Sequence, residues 1–263
     1  MSVTKEVNRY FIYLAYKGTH YCGWQNQPNG VSIQQCIQET LSQVLRQAIS
    51  VVGAGRTDAG VHARQMVAHF DVLGGIVDSS LLIDKLNKIL PDDIAVSKIV
   101  PVTLEAHARF DALARTYIYM VSDKKNPFGF EYVYRMSCRS INFERMNEAC
   151  SVLLEYTDFT SFSKLHTDTK TNLCSIYMAM WTKVDDVWVF TIKANRFLRN
   201  MVRSIVGTML EVGRGKLTIN DFRTVIEAKN RCRAGMSVAP QGLSLVEIEY
   251  PDHLFEICKE KNS

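Results

Sequence analysis

The feature that most narrows the fold of this chain is an order of strands and helices that occurs twice along it. Residues 9–17, RYFIYLAYK, are aromatic and apolar enough for a well-buried strand. A loop rich in Gly, Asn and Pro follows. Ser32 and Gln35 then stand three apart in the form of a capping box, and Ile33, Ile37, Leu41, Val44, Leu45 and Ala48 recur at helical spacing, so a helix is predicted over 32–48. Short strands are predicted at 50–52 and 66–72, a helix at 79–90 ended by Pro91, and a strand at 94–100. The order is β-α-β-β-α-β.

The second half repeats it. RYFIYLAYK has a counterpart in RTYIYMVS, a strand over 115–122, followed by a helix over 143–156 capped by Asn142. Strands at 175–183 and 187–194 make a hairpin turned by Asp185 and Asp186. A helix over 196–212 is stopped by Gly213, a short helix lies near 220–229, and a strand at 243–250 closes the unit. The fold class is therefore α+β, built from two ferredoxin-like halves, 1–104 and 105–263. Such halves give an antiparallel-rich central sheet with helices packed on it and a cleft where they meet.

At 263 residues each half can bury a core of its own, and 47% hydrophobic with 22% charged residues fits neither a disordered nor a fibrous chain. The longest apolar runs, such as 205–210, are far shorter than a membrane span, and the N-terminal MSVTKEVNRYF lacks a signal-peptide core, so a cytoplasmic location is expected. Seven scattered cysteines with no CxxC pair signal neither a disulfide framework nor a metal site. Net charge is only +4, but it is unevenly spread. From Lys193 to Arg233 ten Lys or Arg face three acids, giving +7 there and −3 elsewhere, the pattern of a phosphate-binding patch or of a solvated surface.

Residues 53–63, GAGRTDAGVHA, are the most unusual stretch. They connect two predicted strands, three glycines let the backbone approach a ligand closely, and Arg56 and Asp58 set a cation two residues from a carboxylate. The stretch is neither a Walker loop, since Val61 and His62 follow Gly60, nor a GxGxxG loop, since Asp58 stands at its third Gly. Arg196, Arg199 and Arg203 form one basic stripe on the otherwise apolar helix predicted from 196. Tyr117 and Tyr119 share one face of their strand and read as core on residue type alone. His62, His69 and His107 lack metal spacing and read as hydrogen-bonded structural histidines. Trp24, Gln25 and Gln27 read as a packed loop, and Trp181 and Trp188 as packing around the hairpin.

GAGRTDAGVHA resembles the catalytic loop of the tRNA pseudouridine synthase A family. So do YCGWQNQ at 21–27, AHF at 68–70, HARFDALARTYIY at 107–119, DFTSF at 158–162, IKANRFLRNMVRSIVGTMLEVG at 192–213 and GLSLVEIEY at 242–250. The resemblance implies paired ferredoxin-like halves around a central cleft (the pseudouridine synthase fold), a homodimer, and action on uridines 38, 39 and 40 of the tRNA anticodon stem-loop. It implies that Asp58 is the nucleophile, that Arg56 helps turn the target base out of its stack, that Tyr117 packs on the uracil and that Arg203 pairs with Asp58. It also makes Arg109, with His107 beside it, a tRNA contact, and the stripe residues Arg196 and Arg199 join them as candidates. Gln65 and Met66 depart from the Gly and Gln of many members.

The chemistry agrees with these roles. Moving a uracil from its N-glycosidic bond to a carbon linkage consumes nothing, so no cofactor and no metal are expected. It requires an ionised carboxylate, which a neighbouring Arg keeps charged, and an aromatic face to grip an unstacked base. A non-catalytic RNA-binding module would leave Asp58 without purpose, and a carboxylate glycosidase would need a second acid where the motif has an Arg.

Overall fold

The computed structural model describes residues 6–75, 77–164 and 171–258, with side chains through 255, so the first five residues and the side chain of Cys258 lie outside it. The chain forms two compact units: the residues up to Leu113 together with those from Val246 on, and Ala114–Leu245. The expected halves were 1–104 and 105–263.

The first unit contains β1 (Val7–Tyr16), α1 (Ile33–Leu45), β2 (Val51–Gly53), β3 (His62–Leu73), α2 (Ser79–Ile89) and β4 (Ile94–Val102). β1 lies between β4 and β3, β2 pairs β3, and every one of these pairings is antiparallel. That is the ferredoxin-like order 4-1-3-2. A central strand is covered on both faces, which is why Phe11 and Ile12 are fully buried and why 9–17 shows no polar alternation. Tyr10 and Phe70, opposite each other in the β1–β3 ladder, stack with centroids 5.6 Å apart.

α1 starts where Ser32 predicts, with Ser32 Oγ accepting the Gln35 amide N–H at 3.1 Å. The capping box is only half present, since the Gln35 side chain bonds Glu39 instead. The helix stops at Leu45 because Arg46 is left-handed (φ 53°), which leaves Ala48 exposed outside it.

The second unit contains β5 (Ala114–Ser122), β6 (Tyr134–Arg135), α3 (Phe143–Leu153), β7 (Ile176–Val184), β8 (Val187–Ala194), α4 (Met201–Gly213) and α5 (Ile219–Glu227). The closing strand β9 (Leu243–Glu249) has Leu243–Leu245 in this unit and its remainder in the first. The strand order β9-β5-β8-β7 repeats 4-1-3-2. Val184 pairs Val187 around the two-residue turn of Asp185 (φ 51°) and Asp186, as composition predicts. β6, two residues parallel to β5, is too short to leave a periodic signal.

The helix expected from 196 begins at Met201. Asn200 is left-handed (φ 66°), and the Arg199 carbonyl accepts the Lys164 amide at 3.0 Å, so 196–200 run as a loop. The three-arginine helical stripe is thereby corrected: Arg203 alone of the three stands on α4. Its end also differs. Gly213 remains helical, and a Cβ there would fall 2.6 Å from Met146 Sδ, so it serves packing. The left-handed turn expected of a stop glycine belongs to Gly215 (φ +73°).

Candidate functional site

The 53–63 loop sits between β2 and β3 and is fixed from beneath by residues 16–24. Trp24, 2% exposed, lies where a Cβ on Gly53 would be, 2.4 Å from its ring. Gly23 takes φ +94°, and a Cβ there would fall 2.4 Å from the Thr57 carbonyl, which accepts the Trp24 amide at 3.2 Å. Thr57 Oγ1 is bonded to Tyr16 OH at 2.8 Å. On the far side the Gly18 amide donates to His62 Nδ1 at 3.1 Å, and a Cβ on Gly18 would meet the Val61 carbonyl. The residues around Asp58 are thus anchored on both flanks while Asp58 is half-buried and Arg56 exposed. A turn closed by Val61 N–H to the Asp58 carbonyl at 3.1 Å, with Gly60 at φ +78°, sets the direction of the loop's exit.

This anchoring confirms Trp24 as packing and adds Gly18, Gly23, Tyr16 and Thr57, which residue type alone did not single out. Gln25 and Gln27 are exposed, and Gln27 Nε2 donates to the Cys22 carbonyl within the supporting segment at 2.5 Å. Met66 is fully buried, and Gln65 donates to the Ile248 carbonyl at 3.4 Å, so both departures from the family pattern serve packing and β9.

In the same unit residues 106–111 form a turn held from below. Arg9 forks onto Asp71 at 2.7 and 2.8 Å and donates to the Ala106 carbonyl at 3.0 Å. His69 Nδ1 accepts the Ala108 amide, and His107 Nδ1 accepts those of Arg109 and Phe110. Burial lowers the His69 pKa to about 4, helped by Arg9 and His107, and burial likewise lowers that of His107. Both imidazoles are therefore neutral acceptors at neutral pH, which agrees with the structural reading of these histidines. The turn presents Arg109 and Phe110 to solvent, the guanidinium 5.7 Å from the ring centroid.

In the second unit Tyr117 and Tyr119 share a face of β5 but not an environment. Tyr119 is fully buried, donates to the Ala239 carbonyl at 2.9 Å and has its pKa raised chiefly by burial, so it is core. Tyr117 is half-buried, its ring edge-on to Phe197 at 5.1 Å. Arg203 is half-buried and donates from Nε to the Val238 carbonyl at 2.7 Å, while Arg196 and Arg199 stand on the preceding loop.

The basic cluster is smaller than its sequence. Arg214 and Lys216 pair with Glu211, Arg223 with Glu155 and Lys229 with Asp158. Among the described residues no group of three or more His, Cys, Asp or Glu could hold a metal ion, and no helix is long and apolar enough to cross a membrane.

Residues 12–111 and 149–251 match the family model described as tRNA pseudouridine synthase. The chain belongs to this family. A tRNA pseudouridine synthase A of Parabacteroides distasonis is 61% identical over 251 residues, covering 95% of this chain and 99% of that one. The protein of that name from Bacteroides fragilis is 59% identical over the same shares, and one from a Geobacter species is 38% identical over 92% of this chain and 98% of its own. A solved Cbf5-Nop10-Gar1 complex is 12% identical with a TM-score of 0.34, over 94% of this chain and 59% of its counterpart, too loose a likeness to bear on the site. Membership makes the chain an isomerase of the tRNA-modifying class. The matched segments contain the 53–63 loop, the 106–111 turn and Arg196 to Arg203, whereas Tyr117 falls between them.

Proposed function

We propose that this chain isomerises uridines 38, 39 and 40 of the tRNA anticodon stem-loop to pseudouridine with Asp58 as nucleophile, acting as a cytoplasmic homodimer. In that reaction the sugar's bond to N1 breaks, one to C5 forms, and a proton leaves C5 as another is taken up at N1. The atoms balance without cofactor or metal.

The observation that carries the proposal is the anchoring of the 53–63 loop. Two glycines and a buried tryptophan hold its backbone still, and preorganisation of this kind is what a nucleophile needs to meet one sugar or base at a fixed distance. Arg56, exposed two residues before Asp58, is suited to entering a base stack and helping the target nucleotide out, at a cost of a few kcal/mol. Tyr117 offers a partly accessible ring to the uracil face, and Arg203 is assigned as the cation paired with Asp58. Arg109, with His107 holding its turn, and Arg196 and Arg199 on their loop are assigned to the RNA backbone.

Purified Asp58→Asn and Asp58→Ala test this. Both are expected to bind tRNA within several fold of wild type, because basic residues supply affinity, and to form no pseudouridine. Measurable product from either variant contradicts the assignment.

A further inference from the structure

Residues 234–239 cross over α4 as a strap. A Cβ on Gly207 would lie 1.8 Å from the Met236 carbonyl oxygen, so the strap's backbone rests directly on the helix there. The Gly235 amide donates to Thr208 Oγ1 at 2.9 Å, and Tyr119 OH holds the Ala239 carbonyl from the sheet side. Between these points Val238 and Arg203 exchange two bonds: Arg203 Nε to the Val238 carbonyl at 2.7 Å and the Val238 amide to the Arg203 carbonyl at 3.2 Å. At the strap's start the Arg231 guanidinium turns back on its own chain. Nη1 donates to the carbonyls of Ala234 and Gly235 at 3.3 and 3.2 Å, and Nη2 to Ser237 Oγ at 3.0 Å. That hydroxyl also receives Nδ2 of Asn200, the N-cap of α4, at 2.6 Å.

We infer that Arg231 is a positioning residue for the isomerisation: it fixes the strap, and the strap, through the Val238 carbonyl, fixes the direction in which Arg203 projects. This rests on the reading of Arg203 as the partner of the nucleophile. Arginine has a long stem with many rotamers, and holding its Nε in place orients the rest of the planar fork with it. The sequence counts Arg231 with the phosphate-binding cluster, but its guanidinium is turned onto three acceptors of its own loop. Loss of the clamp should therefore reach the rate of the chemical step and spare tRNA affinity.

The test is single-turnover pseudouridine formation at saturating enzyme, with tRNA affinity measured in parallel. Arg231→Ala and Arg231→Lys are both expected to lose about tenfold to a hundredfold in rate, as a small misplacement of a reacting group does, with affinity close to wild type. Lysine keeps the charge but cannot reach three acceptors with a fork. Ser237→Ala, a milder change at the same junction, should lose less in the same direction, and it decides the matter if circular dichroism shows the Arg231 variants unfolded. In an Arg203→Ala background, Arg231→Ala should add nothing further. Weakened affinity with a wild-type rate would make Arg231 a phosphate contact and overturn the inference, as would a fully active Arg231→Lys or additive losses in the double variant. A wild-type rate for Arg203→Ala itself would remove both this inference and the assignment of Arg203. A slow Arg203→Ala beside a normal Arg231→Ala would remove only the inference.

Discussion

The side chains that hold the site come from far apart in sequence, and this separates what residue type reveals from what it hides. Asp58 is conspicuous because three glycines and an arginine crowd around it, whereas Thr57, Gly23 and Tyr16 acquire their roles only when 16–24 folds against the loop. His69 is a further case. It looks like an ordinary core histidine, and burial with Arg9 and His107 nearby lowers its pKa from 6.5 to about 4, against the opposing pull of Asp71 and Asp111. Between those values the unfolded chain takes up a proton that the fold refuses, so this residue's contribution to stability falls as pH drops from about 6.5 to about 4 and is level below. His69→Asn keeps an acceptor near the Nδ1 position without a titrating group. Denaturant midpoints measured across that window should fall less steeply for the variant than for wild type. Equal slopes would show that His69 does not contribute.

At the scale of elements, apolar periodicity located α1 to α5, and the errors lie at ends where tertiary contacts decide. Ser32, Asn142 and Asp78 cap their helices through local bonds. The start of α4 is different, because Arg199 gives its carbonyl to Lys164, some 35 residues away in sequence, and Asn200 turns left-handed. Nothing in the apolar run of 196–212 announces that break. Gly207 makes a related point. A glycine inside a helix normally gains about 1 kcal/mol on replacement by alanine. Here the added Cβ would sit 1.8 Å from the Met236 carbonyl, backbone that cannot yield cheaply. Gly207→Ala is therefore expected to lower the unfolding midpoint, because the cost of overpacking, about 1–3 kcal/mol or more, outweighs the helical gain. A variant as stable as wild type would mean that the strap is not seated on α4.

For the whole molecule, the duplicated strand and helix order was legible because each unit follows one periodic rule, and both units realise the order 4-1-3-2. The division of β9 between the units was not, since a strand's register carries no mark of where its partners lie. Charge follows the same lesson: ten cations in 193–233 suggest a wide patch, but four are spent on Glu211, Glu155 and Asp158. Arg223→Gln should accordingly leave the salt dependence of tRNA binding unchanged, while Arg199→Gln should reduce the slope by about 0.7 to 0.9 log units per log salt, the share of one phosphate contact. Equal effects would mean that the ion pairs open on binding. The most direct measurement is carbodiimide mapping of pseudouridine in tRNA from cells lacking this protein, complemented by wild type or by Asp58→Asn. The marks at positions 38, 39 and 40 should vanish with the protein, return with wild type and stay absent with Asp58→Asn; marks that persist in its absence, or that Asp58→Asn restores, would contradict the assignment.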